Sequence, residues 1–420
     1  MLLQKMNRFA RFRKSQVKAR TLLHQQGTVK NFSTWSITNR NNEIYVWGSI
    51  GEEMIKKPTQ LFKTQQERKR LFNDSPIIDA ACGSEHVIFL TQDGFMYALG
   101  NNQFGQCARN PATVHFLNEP ALVDTSHLNG EQPIRFKSVH CSRDSTLAIT
   151  MDGKGLCAFG LNDTAQLGMG FNKNGYVHRP RMVPLREDID HILDLYCGAR
   201  HNFLKCQMKD GHVKLFCWGS NQFGELSLGH FFNQNEIVEA APTNEGDGSL
   251  KCKEMCCGLS HSTLLSDNNL IYSSGRGTEG QLGFSSKLSP HWKLVENIPQ
   301  GEIRLTGGMS HTLVSTRQED GTTLVYGWGN HIFDGPTSDP QLLLKLGSMD
   351  GPVTMSSGAN HSFIKVGNRL LAIGSGTSYQ LGQGERTNVE ASFVEVPHPN
   401  TESISMVRAG FSLSLTIGKP

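Results

Sequence analysis

Long apolar runs are missing from this chain. No stretch of its 420 residues approaches the roughly 18 consecutive apolar residues that a membrane-spanning helix needs, so any membrane attachment is expected to come through a partner. Acidic residues are missing from one place in particular. The first 40 residues, MLLQKMNRFARFRKSQVKARTLLHQQGTVKNFSTWSITNR, hold nine basic residues (Lys5, Arg8, Arg11, Arg13, Lys14, Lys18, Arg20, Lys30, Arg40) and neither Asp nor Glu. Catalytic arrangements are missing too: no Ser-His-Asp set and no pair of carboxylates stands out, because the acidic residues sit mostly between apolar segments. The expectation is a chain that is not an enzyme, with no catalytic residue, no cofactor and no metal.

An arginine-rich, acid-free, hydroxyl-containing leader without a long apolar core has the composition of a mitochondrial transit peptide rather than a secretory signal. The other reading of residues 1–40 is a disordered basic arm that binds nucleic acid. Setting the leader apart changes the charge of the remaining chain. Residues 41–420 keep 32 of the 41 basic residues against all 38 acidic ones, a net of −6. A mildly acidic body is a poor generic phosphate binder, because non-specific nucleic-acid affinity comes from neutralising backbone charge. The clearest local basic patch, KTQQERKR from Lys63 to Arg70, reads as the solvated face of a loop or helix.

Glycine, by contrast, is plentiful at 43 residues, and it recurs in a fixed order. Residues 82–106 read CGSEHVIFLTQDGFMYALGNNQFGQ: a small-Gly pair, a His, a short apolar run, an Asp-Gly turn, an aromatic strand ending in Gly, and a second glycine turn. The order returns at 141, 197, 257, 307 and 357, with a half copy, AGFSLSLTIG, at Ala409; the spacings are 59, 56, 60, 50, 50 and 52 residues. A period near 50 marks a propeller or an array. The half copy lacks its aromatic-Gly strand, and EIYVWGSIGEE from Glu43 supplies that strand without the half that should precede it. Together they make a seventh unit.

Each unit reads as antiparallel sheet. VIFL, TLAI, NFLK, STLL, TLVS, SFIK and SLTI are too short for helices and are rich in β-formers. Asp93-Gly94, Asp152-Gly153, Asp210-Gly211 and Asp320-Gly321 supply the positive φ of tight hairpins. The expected fold is all-β: a seven-bladed β-propeller over 41–420 whose last blade is shared by the two chain ends, which pairs edge strands that would otherwise be open. A single, monomeric ring is expected.

The repeat resembles that of the regulator of chromosome condensation family: small-Gly-x-x-His, apolar strand, Asp-Gly, aromatic-x-Trp-Gly, then x-Asn-x-x-Gly-Gln-Leu-Gly. The best copies are Gly100 to Gln106, Gly219 to Leu226 and Gly280 to Gly283 with their upstream halves, and the resemblance covers about 43–418. Unit two departs at Ser145 and the last unit at Leu413, where the His should be, and GNHIFDGPTSD after Trp328 lacks Gln-Leu-Gly. Within that family the chain resembles the mitochondrial, guanine-exchange-factor-like member.

His86, His201, His261, His311 and His361 hold one place in five units, and a residue repeated around a ring is not a unique catalytic base. They are expected to pack at blade boundaries and to hydrogen-bond backbone. Gly83, Gly198, Gly258, Gly308, Gly358 and Gly410, and Trp47, Trp218 and Trp328, are structural repeat positions of the same kind. Cys252, Cys256, Cys257 and His261 crowd four zinc-type ligands into ten residues, yet Cys82, Cys141, Cys197 and Cys257 all fall at the small position that opens a unit. A compact buried thiol suits that position better than a metal does. Gly275-Arg-Gly277-Thr-Glu-Gly280 matches the dinucleotide fingerprint by letter, but no strand-helix alternation surrounds it.

Function is then left to the rims, where loops depart from the repeat: Lys63 to Ser75, Asn110 to Pro133, Phe171 to Asp190 and Phe232 to Leu250, all between units and expected to gather on one face. The family resemblance implies one of two roles for such a rim. One is a scaffold in the mitochondrial matrix, or on the matrix face of the inner membrane, that holds ribosome-assembly enzymes and, through them, ribosomal RNA. The other is nucleotide exchange on a GTPase, by analogy a dynamin-like GTPase of mitochondrial fusion.

Overall fold

The computed structural model describes residues 42–51, 53–130, 132–171, 174–240 and 251–419; the leader reading of residues 1–40 falls outside them. Among the described residues, 28 strands form seven four-stranded antiparallel sheets, the blades of a propeller. Blade 1 runs from the inner strand Ile77–Cys82 through His86–Thr91 and Met96–Asn101 to the outer strand Phe116–Leu122. Blades 2 to 6 repeat that order over 136–182, 189–239, 252–294, 302–346 and 353–395. Inner strands of neighbouring blades touch one another around the central channel.

Blade 7 is assembled from both ends of the described chain. Ile404–Ala409 and Leu413–Gly418 supply its two inner strands, Ile44–Ile50 and Glu53–Leu61 its two outer ones. The seam is a regular antiparallel pairing with Ile44 opposite Ile417 and Gly48 opposite Leu413. Ring closure therefore consumes a strand edge on each side that would otherwise offer unpaired backbone groups.

Second strands such as HVIFLT, HSTLLS and LSLTIG are buried at every position. Both faces of a blade pack on neighbouring blades, so these strands carry no polar-apolar alternation. Outer strands are half exposed, and five of them contain a proline: Pro58, Pro120, Pro180, Pro290 and Pro340. Proline belongs on such an edge, where one backbone N–H has no ladder to join.

These outer strands correct the reading of the long departures. Asn110 to Pro133, Phe171 to Asp190 and Phe232 to Leu250 contain the strands Phe116–Leu122, Tyr176–Met182 and Gln234–Glu239. Because each strand crosses the ring, the segments on its two sides lie on opposite faces. The departures do not gather on one face. Residues 241–250 lie outside the described set. One face, here the mouth face, carries the first-to-second and third-to-fourth strand connections. The other, the hairpin face, carries the Asp-Gly hairpins and the links between blades.

The Lys63 to Arg70 patch falls largely on a helix, Gln65–Phe72, on the hairpin face. Thr64 caps it, accepting from the Glu67 N–H while the Glu67 carboxylate takes the Thr64 N–H, and Asn73 ends it in the left-handed conformation. Leu71 and Phe72 turn inward; Phe72 meets Phe89 and Tyr97 edge-on with centroids 5.8 and 5.0 Å apart. Arg70 forms a bidentate pair with Glu119 at 2.9 and 3.0 Å.

Candidate functional site: the ring of repeat residues and its mouth

Every repeat histidine is fully buried at the first position of a second strand. Each reaches the next blade. Nε2 of His86 lies 3.2 Å from Thr146 Oγ1, His201 2.9 Å from Ser262 Oγ, His261 3.2 Å from Thr312 Oγ1, His311 2.7 Å from Ser362 Oγ and His361 2.8 Å from Ser414 Oγ. The boundary placement matches the sequence reading, but the partner is a hydroxyl rather than backbone. The hydroxyl completes the link: Thr146, Ser262 and Ser414 donate to the carbonyls of Gln106, Glu225 and Gln380 at 2.8–3.0 Å. Since those three hydroxyl protons are committed, the imidazoles of His86, His201 and His361 are Nε2–H donors. No Nδ1 of the five has a partner among the described residues.

The glycine two residues into each unit exists because of the imidazole. A Cβ on Gly83, Gly258 or Gly308 would stand 2.1–2.2 Å from Cε1 of its own unit's His, and on Gly198 or Gly358 2.4–2.5 Å. Where the His is replaced by Ser145, the glycine is replaced by Ser142. The departures are paired across blades as well. Blade 2 has Ser145, and the facing position of blade 3 is Asn202 rather than a hydroxyl; Asn202 bonds the Gln166 carbonyl directly at 2.8 Å. Blade 7 has Leu413, and the facing position of blade 1 is Val87, both in one apolar cluster. Gly410 persists beside Leu413 for another reason: its Cβ would meet Cys82 Cβ and the Gly83 carbonyl at 2.8 Å.

Tryptophan follows the same logic. Nε1–H of Trp47, Trp218 and Trp328 donates to the carbonyls of Gln380, Gln166 and Gln281 in the preceding blade at 2.8–3.0 Å. Each indole lies against the glycine of that blade's Gln-Leu-Gly, where a Cβ on Gly382, Gly168 or Gly283 would stand 3.1–3.2 Å from Nε1. Blades 1 and 3 have Ala108 and Ser227 at that glycine, and the blades that follow have Phe159 and Ser274 in place of Trp.

The small-Gly pairs meet around one end of the channel. Cys82, Cys141, Cys197 and Cys257 are half-buried there, on four successive blades, rather than sealed in blade cores. Burial raises their thiols, to about 12 for Cys82 and Cys257, which keeps them protonated and weakly nucleophilic. No group of three or more His, Cys, Asp or Glu among the described residues could hold a metal ion, and Cys252 and Cys256 are free thiols. Gly275, Gly277 and Gly280 lie at a strand end and in the turn after it, with no helix behind them.

The third residue of each unit forms the lip of this end: Ser84, Arg143, Ala199, Leu259, Met309, Ala359 and Phe411. Backbone bonds tie the lips together, from Ser84 N–H to Arg143 O at 2.6 Å and from Leu259 N–H to Met309 O at 3.0 Å, among others. The result is a shallow cup of about 120 Å³. Sequence reasoning passed over these positions because they vary in type. The available signal was their place, one residue after an obligatory glycine.

The fold and the ring define the class: a seven-bladed β-propeller closed by strands from both ends, with histidine, glycine and tryptophan spent on blade-to-blade contacts. A model of the Regulator of chromosome condensation (RCC1) repeat matches residues 77–106, the first three strands of blade 1 and the turn after them. The Arabidopsis thaliana Ultraviolet-B receptor UVR8 is 29% identical over 332 residues, covering 76% of this chain and 69% of the receptor. The Homo sapiens protein described as a probable E3 ubiquitin-protein ligase, HERC6, is 24% identical over 80% of this chain, which spans 31% of the ligase. Among solved structures, human WBSCR16 superposes with a TM-score of 0.74 at 18% identity, covering 90% of this chain and 99% of that one. Prp20p of Saccharomyces cerevisiae superposes at 0.69 with 19% identity over 90% and 91%. Residues 77–106 thus match the regulator of chromosome condensation repeat, and the ring is similar in sequence and fold to other proteins that carry it.

Proposed function

We propose that this ring is a non-catalytic interaction platform of mitochondria that holds protein partners on its mouth face and acts in ribosomal RNA maturation and ribosome assembly. The observation that supports the platform reading is the mouth face itself. Its central cup, at about 120 Å³, is well below the roughly 300–1,000 Å³ of small-molecule sites. Outside the cup the same face exposes Phe171, Phe231 and Phe232 at 62, 45 and 77%. Loops of adjacent blades carry these rings, joined by the Gly170 N–H to Asn235 O bond at 3.1 Å. Exposed aromatic rings on neighbouring loops suit a protein contact. The repeat histidines, neutral and occupied between blades, take no part in it.

The compartment rests on the leader, whose nine basic residues and lack of acids suit mitochondrial import. The assembly role rests on the balance of the body: a net of −6 favours basic partners, as RNA-binding enzymes are, over direct contact with RNA phosphates. Ribosomal RNA would be reached through those partners. The test is affinity purification of the full chain from matrix extract: ribosomal RNA and RNA-modifying enzymes are expected to co-purify, and their absence would remove the assembly role. A fusion of residues 1–40 to a reporter should enter mitochondria; a diffuse or nuclear signal would remove the compartment.

A second reading, exchange on a dynamin-like mitochondrial GTPase, is favoured by the likeness to Prp20p, whose structural study reports its binding to Gsp1p and histones and which is also solved with Kap60. Accelerated nucleotide release from such a GTPase would select this reading over the first.

A further inference from the structure

The lip residues of the mouth are mostly apolar although they ring an open end of the channel. Ala199, Leu259, Met309, Ala359 and Phe411 line five of the seven places, and a single charge, Arg143, occupies a sixth. Beneath them lie the small-Gly pairs, whose glycines have no room for a side chain. A Cβ on Gly308 would meet His311 at 2.1 Å, and one on Gly358 would meet the Gly410 carbonyl at 2.1 Å.

Arg143 belongs to blade 2, yet its guanidinium lies 5.7 Å from the ring of Phe411 in blade 7. It leans across the lip of blade 1. Its Nε is 3.4 Å from Asp144, and its side chain keeps 42% of its exposure against 12% for that carboxylate. The cation is thus held over the mouth with its outer face in water. The other charges at the mouth are engaged sideways: Arg200 with Asp163 at 3.1 Å and Glu85 with the Asn101 amide at 2.8 Å.

The size of the cup sets what it can take. An engineered apolar cavity of about 150 Å³ in another protein holds one benzene, so about 120 Å³ suits one aliphatic or small aromatic side chain. We propose that the mouth of the ring is a receptor for one apolar side chain of a protein partner, flanked in the partner by a carboxylate that meets Arg143. This rests on the platform reading above and names the chemistry of its partner.

The test uses the full chain with its methionine methyl groups isotopically labelled, the Met309 resonance being identified by its loss in Met309→Leu. Titration with an acetylated Glu-Leu-Glu peptide in the millimolar range should move that resonance saturably, and Glu-Ala-Glu should not. Leu259→Asp, and Ala199→Glu as a second variant, should each weaken the response by about tenfold or more, as denying one apolar group its burial does. Arg143→Glu should turn the preference toward Lys-Leu-Lys. An unmoved Met309 signal, or equal responses to the Leu and Ala peptides, would overturn the receptor. Purified partners that bind Leu259→Asp as tightly as the unaltered ring would also overturn it while leaving the platform reading intact. A responsive cup on a ring that captures no partner would do the reverse.

Discussion

Acid should dismantle this propeller, and the histidine ring sets where. Burial lowers His86, His201, His311 and His361 from 6.5 to about 3 and His261 to about 4. A second proton would go to Nδ1, which has no acceptor beside it among the described residues. The unfolded chain binds that proton freely. A group whose folded pKa is depressed leaves the unfolded state with more protons, so its stabilising effect is complete above about pH 6.5 and drains away as pH falls toward the folded value. At about pH 5.5 each histidine costs about 1.4 kcal/mol relative to about pH 7.5, and five together cost about 7 kcal/mol. That equals much of the 5–15 kcal/mol that holds a typical domain together. His140 and His398, lowered to about 4, act in the same direction, the latter less because it is more open to water. Glu225 and Glu254, raised by burial, oppose the trend only near their own titration range. Urea unfolding followed by the fluorescence of the buried tryptophans, repeated from neutral to mildly acidic pH, should show the midpoint falling steeply below about pH 6.5. His261→Asn should be less stable at neutral pH but lose about 1.4 kcal/mol less across the same interval. A midpoint that does not move between neutral and mildly acidic pH would show that the imidazoles are not neutral, buried bridges.

Gly258→Ala should cost about 1–3 kcal/mol through overpacking, because its Cβ would stand 2.2 Å from His261 and 2.6 Å from the Gly308 carbonyl. Combined with His261→Ser, which removes the clashing ring as Ser145 does beside Ser142, the double variant should lose less than the sum of the two separate losses; strict additivity would refute the steric coupling. Trp328→Phe should lower stability by about 1–3 kcal/mol, since the Gln281 carbonyl loses its buried donor, without changing the far-ultraviolet circular dichroism; an unchanged melting temperature would count against that bond. Removal of residues 404–420 should abolish cooperative unfolding, because both inner strands of blade 7 go with it. A circular permutant opened at Asp210-Gly211, with its old ends joined, should keep its cooperativity, and loss there would show that the seam needs free ends.

How much of this was legible in advance depends on the residue. The second and third strands were visible because each carries a short apolar run between turn residues, whereas inner strands such as CKEMCC and EIRLTG, each with two charged residues, were not. Outer strands were not: QNEIVE, EASFVE and LSPHWKL are polar, half-exposed or broken by proline, so their β character comes only from the neighbouring strand. That is why Asn110 to Pro133 read as one loop and is in fact a loop, a strand and another loop. The histidines were recognisable as structural because they repeat. Their hydroxyl partners were hidden by distance, 51 residues on for His261 and Thr312. The exceptions make sense only in pairs: Ser145 with Ser142 and Asn202, Leu413 with Val87.

Period and half copies are properties of a string, so the order of residues was enough to set the number of units at seven and the need for the two ends to combine, while each blade begins with an inner strand upstream of the small-Gly pair that marks its unit, at Ile77 rather than Cys82 in blade 1. The side of the ring that each segment occupies, the blade that each histidine grips, and the convergence of the variable third residues into one cup came only with the folded ring. Those are facts about positions roughly fifty residues apart brought into contact by closure of the circle, and no local pattern carries them.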